Sequence, residues 1–74
     1  MPTFDKNTKY IEAANNFRLA LLNLSKNGLI VRRMQMKHEA IIEIEPQMII
    51  EPKETQGSWH SAFIHGIRVI WSSQ

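Results

Sequence analysis

The chain has no cysteine. Disulfides, thiolate metal sites and thiol nucleophiles are therefore excluded, and a cysteine-free chain fits a reducing, cytoplasmic setting. It has only three prolines and three glycines in 74 residues, so each of those positions is an informative break. No apolar run approaches the roughly 18 residues that suggest a bilayer span. The start, Met1-Pro2-Thr3-Phe4-Asp5, is polar and lacks a signal-peptide pattern. The expectation is no membrane partner and a cytoplasmic location.

Strong charge is missing too. Nine Lys/Arg against seven Asp/Glu leave a net charge of +2. The distribution is uneven: residues 1–38 hold seven bases and two acids, residues 39–74 two bases and five acids. Such asymmetry marks some nucleic-acid surfaces, and it is also what cross-strand ion pairing produces. The length corresponds to one domain, residues 1–74. A chain this small buries only about 60% of its unfolded surface, so its core is marginal unless self-association adds to it.

What is present is an amphipathic helix. At about 100° per residue, Tyr10, Ala13, Ala14, Phe17, Ala20, Leu21 and Leu24 fall within an arc of roughly 120°. Asn7 or Thr8 is the expected N-cap, with Asp5 competing for a start one turn earlier. Lys26-Asn27-Gly28-Leu29 is a stop: a cation on the last carbonyls, a glycine for positive φ, and an apolar residue folding back. Ile11, Leu19 and Leu22 lie outside the apolar arc. Either the sheet curls around the helix to meet them, or they form part of a homodimer contact.

The rest reads as β structure. Leu29 to Lys37 and Glu39 to Glu45 form an antiparallel pair whose residue numbers sum to 76. That register sets Met34 opposite Ile42 and Met36 opposite Ala40 on one face, and Arg33 opposite Glu43 and Lys37 opposite Glu39 on the other. The connection is a three- to five-residue loop around His38. Arg32 breaks the alternation, which a bulge or a margin position would explain. Pro46 ends the second strand, Met48-Ile49-Ile50 is a brief extended piece, and Pro52 to Ser58 is a polar surface loop. Strands 59–64 and 67–72 meet at a tight His65-Gly66 turn. The fold class is α+β: one N-terminal helix packed on an antiparallel sheet of about four strands, in meander order. The expected core is Tyr10, Ala14, Phe17, Leu21, Leu24, Ile30, Met34, Ile42, Ile44, Phe63, Ile67, Val69 and Trp71.

Candidate chemistry is sparse. His38, His60 and His65 have no metal-ligand spacing, so neither metal nor cofactor is expected. Ser58, His60 and Ser61 are neighbours without an orienting acid, and no phosphate loop or nucleophile elbow appears, so no catalytic residue is nominated. Arg32, Arg33, Lys37 and Arg68, with Trp59, Phe63 and Trp71, could serve a single-stranded nucleic acid. Arg33 and Lys37 already have acidic partners in the stated register. A non-enzymatic protein-interaction module is favoured, with a homodimer as its leading form and an open sheet edge as a second docking feature.

The ending His65-Gly66-Ile67-Arg68-Val69-Ile70-Trp71 resembles small phage- and prophage-borne proteins of proteobacteria. These have an N-terminal helix closed by a glycine, a pair of strands and a last strand Gly-x-Arg-Val-x-Trp. The resemblance covers Ala14–Val31 loosely and Gly66–Trp71 more closely, and it carries no functional residues. It implies a phage accessory factor acting on a host or phage protein or on DNA.

Overall fold

Nothing between Pro2 and Gly28 interrupts helical hydrogen bonding. In a computed structural model of the protein, Phe4–Lys26 forms one helix, α1. The structure describes residues 4–73 apart from Lys37, with side chains from Asn7 onward. Asp5, Asn7 and Thr8 lie inside α1 rather than capping it. Polar residues of this kind cost at most about 0.7 kcal/mol each in a helix, too little to stop one.

The helix ends where the glycine sets it. The Leu29 N–H donates to the Leu24 carbonyl at 2.9 Å and the Gly28 N–H to the Ser25 carbonyl at 3.0 Å, with Gly28 at φ +73°. This is the Schellman closure, and Leu24 and Leu29, the pair it brings together, are both in the core.

Five strands follow: β1 (Val31–Met36), β2 (Ala40–Ile44), β3 (Glu54–Gln56), β4 (Trp59–Ile64) and β5 (Ile67–Ser72). They form one sheet in the order β1-β2-β5-β4-β3. Every pairing is antiparallel except β2–β5, which is parallel. The α+β class with a single N-terminal helix holds. In place of a meander, a hairpin and a three-stranded unit join along the central parallel pair. The extra strand is β3, cut from the polar run after Pro52 by a turn with Gly57 at φ +61°.

The β1–β2 register matches the charge and apolar pattern: Arg33 faces Glu43, Met34 faces Ile42 and Met36 faces Ala40. The register slips between Val31 and Arg33, which places the bulge at Arg32. The proposed Lys37–Glu39 pair lies outside the described residues. His65 (φ +51°) and Gly66 (φ +76°) make the tight turn of the last hairpin, both at the positive φ of a type I′ connection. Met48-Ile49-Ile50 is a bend, not an extended piece. The Gln47 Oε1 accepts from the Ile49 and Ile50 amides at 2.6 and 2.7 Å, so a side chain takes the place of a ladder partner.

The core is Phe17, Ala20, Leu24, Leu29, Ile42, Ile44, Ala62, Ile67, Val69 and Trp71. Leu21 packs at its margin. Phe63 is exposed, because the two-residue turn pairs it with Arg68 on the open face and puts Ala62 opposite Val69. Met34 has the expected face, yet it is exposed because β1 is an edge and α1 approaches β5 most closely. Ile30, at the start of that edge, is exposed as well.

Tyr10 and Ala14 miss the core for a reason of length. A 23-residue helix is about 34 Å long, whereas a six-residue strand covers about 20 Å. The helix outruns a strand by the length of some nine or ten helical residues, and among the described residues none before Phe17 is buried, so the N-terminal part of α1 is the overhang. The molecule is accordingly long, 48 × 26 × 18 Å, with a radius of gyration of 13.6 Å against about 11 Å for a compact chain of this size.

Replacing Phe17 with alanine is expected to lower the unfolding free energy by about 3–5 kcal/mol, and half-buried Leu21 by less, in urea titrations. Gly28→Ala is expected to cost about 1–2 kcal/mol through backbone strain alone, since a Cβ there meets nothing within 4 Å. If Gly28→Ala left the urea midpoint unchanged, the closure would not be holding the helix end.

Candidate interaction surfaces

Alternation along each strand gives the sheet one face under the helix and one open face. The pairings lay the open face out in rows. One row runs Gln35, Ile41, Arg68, Phe63, and the next runs Arg33, Glu43, Ile70, Ser61, Glu54. Trp59 stands beyond them beside Gln56 and Ser72.

The basic residues of this face are matched by acids. Arg33 Nε donates to Glu43 Oε1 at 2.8 Å, and Arg32 stands 3.9 Å from the other oxygen of the same, largely buried carboxylate. Arg68 Nε donates to Glu39 Oε2 at 2.8 Å, with Glu54 at 3.9 Å on its far side. The hydrogen bond to Glu39, ahead of the fields of Glu39 and Glu54, holds the Arg68 guanidinium above its already high ordinary pKa. The Arg68 guanidinium also lies 4.9 Å from the centre of the Phe63 ring. Arg32 and Arg33 thus share one carboxylate and Arg68 lies between two, so the arginines sit in two mixed-charge clusters in place of a basic stripe. Lys37 lies outside the described residues. Beside them, Glu54, Trp59, Ser61, Arg68 and Ile70 line a shallow cup of about 320 Å³.

On the helix side, His60 sits half-buried against Trp71, ring centres 5.8 Å apart. Its Nδ1 is 2.9 Å from Thr55 Oγ1 and its Nε2 is 2.7 Å from Ser73 Oγ. Ser73 Oγ donates to the Ser58 carbonyl, so it accepts from His60 Nε2–H, and Nδ1 accepts from the Thr55 hydroxyl. This chain ties β3, β4 and the end of β5 together and leaves no lone pair of the ring directed at a serine proton. The hydroxyls of Ser58 and Ser61, its sequence neighbours, take no part in it. Thr55 reaches His60 through the β3–β4 pairing, which the sequence did not show, whereas Ser73 reaches it through the last hairpin, whose register could have suggested it. Among the described residues no group of three His, Asp or Glu side chains could hold a metal. His65 is in the turn and His38 in the β1–β2 loop, far apart in role.

The nominated helix residues divide. Ile11 and Leu22 are exposed, at 60% and 52%, on the side turned from the core stripe, while Leu19 is half-buried. Ile11 belongs to the overhang; Leu19 and Leu22 belong to the part of the helix above the sheet. No described helix is long and apolar enough to cross a membrane. No family model, curated protein or solved structure matches this chain.

The Arg33–Glu43 pair is unequal: the Arg33 side chain is largely solvated and that of Glu43 largely buried. Arg33→Ala leaves the buried carboxylate with Arg32 alone, at 3.9 Å, and is expected to cost about 1–3 kcal/mol, more than Glu43→Gln, whose amide leaves a solvated cation behind. Equal costs by chemical denaturation would mean the carboxylate is wetter than its position implies.

Proposed function

We propose that this protein is a non-enzymatic interaction module that works as a homodimer held through its helix. One observation carries the reading. The accessible surface is 5539 Å², whereas a folded monomer of 8.6 kDa has about 4,700 Å². The surplus of about 800 Å² is what one partner contributes to a standard interface. Large apolar side chains are among what is exposed: Tyr10, Ile11, Leu22, Met34 and Met36. A phage-borne accessory role, with a host or phage protein as a further partner, is what the likeness of the last strand implies for such a module. Nucleic-acid binding through Arg32, Arg33, Lys37 and Arg68 is the competing reading; phosphates would have to displace Glu39 and Glu43 from the arginines.

Sedimentation equilibrium decides between them. A dimer is expected at about 100 μM, weakened in Ile11→Glu with the helical circular dichroism unchanged. A monomeric wild type that is retained on single-stranded DNA and released steeply by salt would replace this reading with the other.

A further inference from the structure

We propose that the two copies exchange helix ends: the overhang of each α1 lies on the helix-side face of the partner's β1. This rests on the homodimer reading and narrows it to one surface. The chain has a surplus and a deficit of the same kind. The apolar stripe of the helix continues past Phe17 into Ala14, Ala13 and Tyr10, none of which is buried: Ala13 is half-buried, Ala14 exposed and Tyr10 55% exposed. At β1 the reverse holds. Met34 and Met36 share a face with buried Ile42 and half-buried Ala40, yet they are 48% and 42% exposed on an edge strand, while α1 makes its closest approach at β5.

One chain cannot cure both faults. The Schellman closure and buried Leu24 fix the C-terminal end of α1, and its middle is committed to the central strands through Phe17 and Ala20. Its free end cannot swing back over its own β1 without leaving the core. A second copy supplies the missing helix, and a two-fold axis makes the contact reciprocal and closed, so association stops at two. The chemistry suits it: Ala13 and Ala14 let a helix axis come close to a sheet, and methionines adapt to the side chains laid on them. The surplus area has the size that one such contact removes per copy.

The absence of cysteine makes the test specific. A Tyr10→Cys chain and a Met36→Cys chain are mixed and treated with a short bismaleimide, and sedimentation is run in parallel on Met36→Glu and Leu22→Glu. The expected result is a covalent dimer in the mixture that neither chain gives alone. Met36→Glu is expected to weaken the dimer by roughly tenfold or more, because a carboxylate enters an apolar contact. Leu22→Glu, outside the overhang, is expected to leave it unchanged. A wild-type dimer broken by Leu22→Glu and indifferent to Met36→Glu, or one giving no cross-linked mixture, overturns the exchange and leaves the homodimer standing. A wild type monomeric at about 100 μM removes both.

Discussion

The parallel pairing of β2 with β5 is the constraint from which the rest follows. It is the one long-range junction in the sheet, and it sets Ile42 beside Val69. Those side chains, with Ile44, Ile67 and Trp71, make the apolar strip that Phe17, Ala20 and Leu24 cover. Without the junction the chain would be two separate β units, each too small to bury a helix. With it, one helix is enough to close a core over the central strands, and only over them.

That choice has a geometric cost. A lone helix is about 10 Å wide, about the width of two strands at their usual spacing of roughly 4.8 Å. A five-stranded sheet therefore has flanks that a single helix cannot reach. On the β3–β4 flank the gap is filled in part by Ile50, carried in on the bend that Gln47 ties, and by the His60–Trp71 contact. On the β1 flank, Val31 packs at the margin of the core, but among the described residues no loop is carried in over Met34 and Met36, which stay exposed. Helix length, meanwhile, is set by backbone propensity and runs on past the strands, since nothing in Asp5 to Ala13 breaks it.

Local patterns in the chain carried much of this fold. Gly28 and Gly66 marked two turns correctly because positive φ is a demand that few other residues meet. The β1–β2 register was legible because charge and apolar pairing agreed on one alignment, and the misfit of Arg32 in that alignment pointed to a bulge. Long-range information was the part out of reach. No local pattern in β2 says that it will lie parallel to β5, so the strand order, and with it the exposure of Met34, could not be read. Phe63 shows a subtler limit. The two-residue turn already implied Ala62 opposite Val69, but an aromatic is a stronger core signal than an alanine, and composition outweighed register. Among the surface features, the Arg33–Glu43 pair was readable, and the last hairpin already brought His60 toward Ser73; Arg68–Glu39 and the Thr55–His60 bond depended on the β2–β5 and β3–β4 pairings, which sequence alone does not give.

The two edges of the sheet also bear on how copies can meet. β3 is three residues long and fully exposed, with Glu54 upon it, and a short charged strand is a poor template for another chain. β1 is twice as long, but its bulge falls at Arg32, near the start of the strand, and a bulge adds twist and disrupts the regular ladder that a neighbouring strand would need. Both edges thus resist strand addition, although β1 keeps an apolar face. A partner that needs no ladder hydrogen bonds, such as a helix, can use that face while a strand cannot use the edge. The same features that guard the sheet against uncontrolled growth therefore favour a helix as its cover, and the chain carries a helix with an uncovered end.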